Sequence, residues 1–452
     1  MGGSSRPTFI FNLAHLPLFI CSRRYMHRAQ ESSMTTHDHT EPIGYLELIR
    51  ENRNFRALWL GQIVSLLGDW FNLIGSASLV ATLTQSGFAV GGLFIVRMLA
   101  PFIVSPVAGV VADRYNRKQV LIITDLARAV IVLGFLLVRR PEHVWLLYAL
   151  TALQLSVSGF FFPTRSAILP DIVPRNGLGA ANAISSATWS VMLSLGAALG
   201  GLVAGQFGIY TAFVVDALTF LLSAFFIMQV RYTSVPTLDG TMTLATAIRD
   251  YIEGLAYLRH HFDILMIALQ KTFVALAVSG GFQVVQVVMA EQIYPIGEGG
   301  STSLGLMYAV VGVGTGVGPI LARAFTGDRE WPLRWAILVS YFLSAVGLLL
   351  IAPLGAFWVV LLGMLLRGVG GGIGWVFSTQ LLLDLLPDRV RGRVFSTEFA
   401  MFTLANAVGA AVVGRALDLS ISLSLLMLAM AGLSIVSALV WGAWLLMMRR
   451  RA

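Results

Sequence analysis

The chain contains little charge and almost no cysteine. Lys, Arg, Asp and Glu make up 12% of its 452 residues, about half of the roughly 25% that soluble domains carry. The single cysteine, Cys21, excludes an intrachain disulfide and a cysteine-based metal site. The chain also lacks a Gly-Lys-Ser/Thr phosphate loop. Because no nucleophile–base or metal-ligand arrangement appears either, we expect no cofactor, no bound metal and no enzymatic activity.

Long apolar stretches take the place of charge. Hydrophobic residues make up 57% of the chain, and its mean hydropathy is +0.79. Repeated apolar runs of about 20 residues fit a bilayer core ~30 Å thick that a helix crosses at ~1.5 Å per residue. The sequence therefore predicts an all-α integral membrane protein with twelve spans. We place these spans at residues 55–82, 88–111, 119–138, 143–165, 180–206, 209–230, 263–290, 302–324, 333–352, 356–383, 394–415 and 421–447.

The basic residues are distributed unevenly between the two sides of these spans. Most of the 31 Lys and Arg residues fall in segments on one side, and few fall in the short loops on the other. By the positive-inside rule, the richer side and both chain termini lie in the cytoplasm. The net charge of +8 thus reflects membrane topology, so we expect no nucleic-acid partner.

The predicted spans divide the chain into two halves. Asp171-Ile-Val-Pro174 before the fifth span matches Asp384-Leu-Leu-Pro387 before the eleventh, which indicates an internal repeat. A surface helix is predicted at Tyr45–Arg56 and an amphipathic helix in the central linker. The predicted segments are an N-terminal tail without a predicted fold apart from that helix (1–54), two six-helix halves (55–230 and 263–448), the linker (231–262) and a basic C-terminal tail (449–452).

The link between the second and third spans carries the clearest motif. It reads Gly109-Val-Val-Ala-Asp113-Arg114-Tyr-Asn116-Arg117-Lys118. The pattern resembles the signature loop of the major facilitator superfamily, in which glycine is usual at the position of Asn116. Since asparagine is the next-best residue for a left-handed turn, we predict such a turn there. The resemblance implies the fold of that superfamily, with twelve transmembrane helices in two pseudo-symmetric six-helix halves.

The same resemblance implies that this loop acts as a gate. Asp113 would face the N-terminal end of the eleventh helix, which is flanked by Arg391 and Arg393. That contact would hold the cytoplasmic side closed in one state of the transporter, and Gly109 would let the second and eleventh helices approach each other. The basic residues would also anchor the topology. The predicted gating residues are Gly109, Asp113, Arg114, Asn116, Arg117 and Lys118.

Further motifs narrow the resemblance to one branch. Leu169-Pro170-Asp171-Ile-Val-Pro174 and Pro387-x-x-x-Arg391-Gly392-Arg393-Val394 are similar to segments of enterobactin-type siderophore exporters and macrolide efflux proteins. The resemblance implies export of a drug, macrolide or siderophore-like solute across a bacterial inner membrane. Transport would proceed by alternating access and proton antiport, with membrane lipids and the solute as partners and the protein as a monomer.

Other functions stay open at this point. A lysophospholipid flippase, a facilitator or an importer would use the same fold. The fourth span lacks the Arg-x-x-x-Gly pattern found in many proton-coupled drug exporters, so the proton pathway has no motif to identify it. A membrane-embedded enzyme or a receptor is disfavoured, because the chain contains neither a catalytic arrangement nor a soluble domain of useful size.

Charged side chains inside the spans identify candidate site residues, because each costs at least ~2.5–3.5 kcal/mol at mid-span. In the first span, polar residues including Asp69 recur at helical spacing and form one polar face. Asp69 and Arg97 lie ~18 Å and ~14 Å from the external ends of their helices, which allows an ion pair between them. Such a pair would be either structural or functional. Asp69 is the first candidate for the proton carrier, and Glu398 is the second.

The remaining intramembrane charges have simpler interpretations. Asp125 and Arg128 are three residues apart and can neutralise each other on one helix face, whereas Asp216 favours a structural role. If Arg97, Lys271 and Arg367 face one cavity with Asp69, that cavity is net positive and suits an anionic or catechol-rich solute. The candidate cavity residues are Gln62, Ser65, Asn72, Arg97, Lys271, Gln283, Gln286, Arg367 and Asn406.

Overall fold

A computed structural model describes residues 43–232 and 244–451, and this part of the chain contains helices and no strand. Its first helix, Tyr45–Glu51, ends at Asn52. The Asn52 side chain accepts a hydrogen bond from the Phe55 amide at 2.9 Å and so caps the next helix. The surface helix predicted at Tyr45–Arg56 is therefore divided at Asn52. The predicted tail before residue 43 lies outside the described residues.

Twelve helices in the described part are long and apolar enough to cross a membrane, which confirms the predicted all-α fold. In chain order they are α1 (Arg53–Thr84), α2 (Gly87–Arg114), α3 (Arg117–Leu133), α4 (Val144–Ile172), α5 (Leu178–Phe207), α6 (Ile209–Met228), α7 (Phe262–Gln292), α8 (Ser301–Thr326), α9 (Glu330–Ile351), α10 (Phe357–Leu385), α11 (Asp388–Asp418) and α12 (Leu423–Arg451).

Two helix ends differ clearly from their predicted positions. Helix α4 continues to Ile172, beyond the predicted end at residue 165, and α11 begins at Asp388, before the predicted start at residue 394. Both extensions carry charged residues. A span placed by hydropathy stops where charged residues begin, although the backbone continues as a helix. As a consequence Arg165 lies inside α4, whereas it was the last residue of the predicted span.

Helix α7 is not a uniform α-helix. Its residues Ala275–Ser279 form one π-helical turn between the segments Phe262–Val274 and Gly280–Gln292. Immediately after this turn α11 lies against the backbone, and a Cβ atom at Gly280 would lie 2.3 Å from the Asn406 carbonyl oxygen. Glycine therefore permits the close approach of α7 and α11 where the π turn changes the helix register.

Two helix pairs join the first half (α1–α6) to the second half (α7–α12). Helix α2 packs on α11, and α5 packs on α8. A Cβ atom at Gly91 would lie 2.7 Å from the Ala410 carbonyl oxygen, and one at Gly201 would lie 2.7 Å from the Gly305 Cα atom. Both interfaces thus depend on direct backbone contact between small residues.

The two ends of the bundle differ. We call the end at which α2 stops and α3 begins the basic face, and the other end the opposite face. At the opposite face Ser86 Oγ donates to Asp418 Oδ2 at 2.9 Å, and Gln85 Nε2 donates to Glu291 Oε1 at 2.6 Å, so both bonds join the halves. At the basic face a Cβ atom at Gly109 would meet no atom of the described residues within 4 Å. Side-chain hydrogen bonds therefore join the halves at the opposite face, whereas α2 leaves room for a side chain at Gly109 among the described residues.

The linker contains a helix, Leu244–His260, after residues that lie outside the described part. Glu253 forms an ion pair with Arg393 at 2.6 Å, and Leu258 is buried. A Cβ atom at Gly254 would lie 2.6 Å from the Arg393 carbonyl oxygen. The predicted linker helix is therefore present and packs against the start of α11.

Candidate functional site

Asn116 in the signature loop begins a helix. Its φ and ψ are −60° and 109°, and its side chain accepts a hydrogen bond from the Gln119 amide at 3.2 Å. Asparagine is among the preferred residues for capping a helix N-terminus in this way. The predicted left-handed turn at this position is wrong, because the Asn116 backbone is extended. The role of asparagine here is to supply a side-chain oxygen that accepts a hydrogen bond at the start of α3.

The basic residues of the loop fasten the first half together. Arg117 forms an ion pair with Asp171 at 2.7 Å, which joins α3 to the end of α4. Lys118 Nζ donates to the Met228 carbonyl oxygen at 2.8 Å and so binds the C-terminal end of α6. The Asp113 side chain lies outside the described residues, so its gating contact with α11 stays a prediction. Arg114 is exposed at the end of α2.

Arg128 on α3 is the centre of a buried charge cluster in the first half. Its guanidinium group hydrogen-bonds to Asp125 on the same helix and lies 3.8 Å from Asp69 on α1. It also donates to Ser65 Oγ at 3.2 Å. Phe220 on α6 lies under the guanidinium group, with 4.2 Å between the Arg128 Cζ atom and the ring centroid. Arg128 thus connects three helices of this half.

This arrangement corrects the expected pairing of Asp69. The sequence allowed an ion pair with Arg97, whereas the structure pairs Asp69 with Arg128. Asp69 and Arg97 lie at similar depths along neighbouring helices, which made a contact between them possible. Depth alone does not determine which guanidinium group points toward Asp69. The neutralisation of Asp125 by Arg128 is present as predicted. The Asp69 side chain is 31% exposed, while that of Asp125 is fully buried.

Arg97 and Arg367 remain without an ion pair in the described part of the chain. Buried nitrogen atoms of both side chains, Nη1 of Arg97 and Nε of Arg367, have no hydrogen-bond partner there. The Tyr308 phenol interacts electrostatically with both guanidinium groups, which places one arginine from each half near it. Buried donors without acceptors are costly, so these N–H groups suit a solute that brings hydrogen-bond acceptors.

Aromatic rings surround this pair of arginines. The Arg367 Cζ atom lies 3.9 Å from the centroid of the Phe282 ring, and the rings of Trp70 and Tyr308 are 5.5 Å apart. Trp70 follows Asp69 on α1, so the aromatic group and the partly exposed acid are adjacent. The two arginines and three aromatic residues form what we call the inter-half cluster.

The second half contains a separate buried ion pair. Lys271 Nζ on α7 lies 2.9 Å from Glu398 Oε1 on α11, and both side chains are nearly inaccessible to solvent. Thr379 Oγ1 on α10 accepts a second hydrogen bond from Lys271 at 2.7 Å. The Trp375 ring lies 4.4 Å from the same nitrogen. The sequence identified Lys271 and Glu398 separately, but no spacing connects residues on α7 and α11.

Replacing Lys271 is expected to destabilise the protein more than replacing Glu398. In Lys271→Met, Glu398 loses the ion-pair partner that it has in the described part of the chain, and we expect the free energy of unfolding to fall by about 3 kcal/mol. In Glu398→Gln, Lys271 keeps Thr379 and the Trp375 ring, so the loss should be smaller. Thermal melting of the purified variants in one detergent measures both effects. Equal losses would contradict the assigned contacts.

The other candidate residues bond mainly within their own half. Gln62 and Ser185 accept hydrogen bonds from Arg165 on α4, which the sequence had not singled out as a site residue. Asn72 is fully buried, and its amide has no hydrogen-bond partner among the described residues. Three residues of the second half are placed as follows: Gln283 donates to the Ser279 carbonyl oxygen at 3.5 Å, Gln286 is buried, and Asn406 donates to the Phe402 carbonyl oxygen at 2.9 Å.

Comparison with known proteins agrees with this architecture. The sequence profile of the transmembrane secretion effectors matches residues 49–449. BacE of Bacillus amyloliquefaciens, named as a candidate bacilysin exporter, is 24% identical over 387 residues, which cover 86% of this chain and 94% of that protein. The multidrug resistance protein MdtG of Salmonella arizonae is 25% identical over 418 residues, which cover 89% and 97%.

Solved structures show the same fold. A bacterial homologue of the iron transporter ferroportin, crystallised in an inward-facing state, superimposes with a TM-score of 0.65 at 15% sequence identity. The match covers 87% of this chain and 98% of that protein. Together, the matched profile, the related transporters and the twelve-helix fold show that the chain belongs to the transmembrane secretion effector family of major facilitator superfamily transporters.

Proposed function

We propose that this transporter is a secondary active exporter that moves a small solute across a bacterial inner membrane by alternating access. In this proposal the basic face is cytoplasmic. The observation that carries it is the asymmetry of the bundle: hydrogen bonds join the halves at the opposite face, whereas at the basic face a Cβ atom at Gly109 would meet no described atom within 4 Å. Such a conformation would receive solute from the cytoplasm. The names of two relatives, which refer to export and multidrug resistance, support the outward direction.

The coupling ion in this proposal is the proton, with Asp69 as its first carrier. Asp69 is the partly exposed acid of an otherwise buried charge cluster, so it is the member of the cluster that water reaches. Protonation removes the attraction between Asp69 and Arg128 and so loosens the link between α1 and α3. Glu398 is the second candidate, but its exposure is only 5% and Lys271 holds it tightly.

The inter-half cluster is the proposed solute site. Its unpaired N–H groups on Arg97 and Arg367 suit oxygen acceptors, and its rings suit an apolar body. These features are compatible with a drug, a macrolide or a siderophore-like solute. The sequence suggested a net-positive cavity formed by Arg97, Lys271, Arg367 and Asp69. Lys271 and Asp69 each form an ion pair, so Arg97 and Arg367 are the two unpaired charges of that set in the described part.

Bulky residues at two glycines on α2 are expected to shift the conformation in opposite directions. In Gly91→Leu the new side chain would clash with the Ala410 carbonyl group and push α2 away from α11 at the opposite face. This variant should therefore favour the outward-open state. Gly109→Leu fits the present conformation but should block closure of the basic face. Both variants should lose transport. A cysteine introduced as Tyr308→Cys in a Cys21→Ser background reports the conformation through its rate of labelling by a thiol reagent. Labelling from the opposite face should be faster in Gly91→Leu, and labelling from the basic face should be faster in Gly109→Leu.

Gly432 on α12 provides the matched control for these substitutions. It is exposed, and a Cβ atom there would meet nothing within 4 Å. Gly432→Leu should therefore leave both transport and labelling unchanged. Alternating access would be contradicted if the Gly91 and Gly109 variants gave the same labelling pattern as each other.

A further inference from the structure

Asp216 on α6 is a carboxyl group with no assigned role in the export cycle. It is 0% exposed, and neither carboxyl oxygen has a hydrogen-bond partner in the described part of the chain. It lies within α6 and therefore does not cap the N-terminal end of that helix. An ionised carboxylate in such a position lacks the contacts that normally offset its removal from water.

Helix α1 packs directly against this carboxyl group. A Cβ atom at Gly68 would lie 2.4 Å from Asp216 Oδ1, so α1 leaves space for the acid by using glycine. One turn further along α1, Asn72 is also 0% exposed, and both polar atoms of its amide lack a hydrogen-bond partner. The Asn72 side chain interacts with the Asp216 carboxyl group. Two buried groups without satisfied hydrogen bonds therefore face each other across the α1–α6 interface.

The charged groups around Asp216 come from three helices. They are Asp69 on α1, Arg97 on α2 and Arg128 on α3, which also contacts Asp125 on its own helix, while α5 contributes no charged residue. Three carboxyl groups thus share two guanidinium groups. Asp69 and Asp125 both contact Arg128, whereas Asp216 forms no ion pair among the residues that the structure describes. If all five groups were ionised, the buried cluster would be net negative, and Asp216 would be the uncompensated member.

We propose that Asp216 holds a proton in this conformation and is a second proton-binding site beside Asp69. The inference deepens the proposed proton antiport and rests on it for its role in transport. A neutral carboxyl group can pair with Asn72 in both directions. Its O–H donates to the amide oxygen, and the amide N–H donates to its carbonyl oxygen. An ionised carboxylate only accepts hydrogen bonds, so it would leave the Asn72 oxygen unsatisfied.

Asp69 is the route by which this proton reaches the cavity. Asp69 is 31% exposed and Asp216 is fully buried, so exchange with water occurs at Asp69. In the transfer, the O–H bond of Asp216 breaks, a new O–H bond forms on an Asp69 carboxylate oxygen, and Asp216 becomes ionised. Arg128 loses its ion pair with Asp69 at that moment and becomes available to Asp216, which lies within its electrostatic range.

Infrared spectroscopy of the purified, resting protein tests the proton on Asp216 without solute or gradient. The wild type at neutral pH should show the carbonyl-stretching band of a protonated carboxyl group, which shifts in D₂O. Asp216→Asn should lose this band, and Glu398→Gln should keep it. Asn72→Leu should retain the band at a shifted frequency, because the polar amide that faces the carboxyl group is removed. Absence of the band in the wild type, or its survival in Asp216→Asn, would overturn the proposal.

A second measurement separates proton storage from a role in transport. In inside-out vesicles that release protons on addition of a solute, Asp216→Asn should abolish that release. Persistent release with loss of the infrared band would overturn the role in the cycle, although the carboxyl group would still be protonated. Absence of release in the wild type would count against antiport itself, and the infrared result on Asp216 would stand independently of it.

Discussion

Replacing Arg128 with methionine is expected to lower the free energy of unfolding by about 3–5 kcal/mol. The substitution keeps the length of the side chain but removes the cation that Asp125 contacts in a fully buried position. Ser223 Oγ donates to Asp125 Oδ2 at 2.6 Å and cannot supply the missing charge. The midpoint of thermal unfolding of the purified protein in detergent, compared with the wild type, measures the effect.

A double variant and a matched arginine make this prediction specific. Asp125→Asn combined with Arg128→Met removes both charges, so it should be more stable than Arg128→Met alone. Arg334 on α9 is equally buried, but its ion-pair partner Glu330 is 49% exposed. Because water can solvate Glu330 when its partner is lost, Arg334→Met should cost less than Arg128→Met. Similar losses in the two single variants would show that lost packing, and not an uncompensated charge, determines the stability.

Asp69→Asn is expected to abolish solute-dependent proton movement. We would energise inside-out vesicles from overexpressing cells to an acid interior and add a catecholate siderophore or a macrolide. The wild type should release the proton gradient, and Asp69→Asn should respond no more than vesicles without the protein. Expression should be unchanged, because Arg128 keeps its contact with Asp125 in the variant. This reduction to background would place Asp69 in the coupling path.

The other outcomes of this experiment are equally informative. Release that survives in Asp69→Asn would keep antiport and move the proton to Glu398, which Glu398→Gln tests in the same vesicles. The absence of any response in the wild type to the tested solutes would favour a facilitator or a lipid flippase on the same fold.

Much of the fold could be predicted from sequence because its signals are local. The number of spans follows from apolar run length, and the family follows from the loop that ends in Arg117-Lys118. Helix ends were less accurate where charge continues on a helix, as at Asp171 in α4, because hydropathy detects the apolar stretch and not the whole helix. The gating contact of Asp113 and the orientation in the membrane stay predictions.

The pairing of buried charges could not be predicted in the same way. Asp69, Arg97 and Arg128 lie on three different helices, and the choice between the two arginines depends on the rotation of each helix about its axis. The same holds for Lys271 and Glu398, which lie more than a hundred residues apart. The lack of a partner for Asp216 could not be predicted either. It becomes visible only when the neighbouring helices are in place.

The sequence by itself determined that this protein crosses a membrane twelve times, which family it belongs to, and which intramembrane residues carry charge. Each of these follows from the cost of placing charge in a lipid environment, which applies residue by residue along the chain. Only the tertiary structure decided that Asp69 pairs with Arg128, that Lys271 pairs with Glu398, and that Arg97, Arg367 and Asp216 have no ion-pair partner in the described part. Those outcomes depend on packing between helices, because contact between charges requires a distance of a few ångströms that no local pattern encodes.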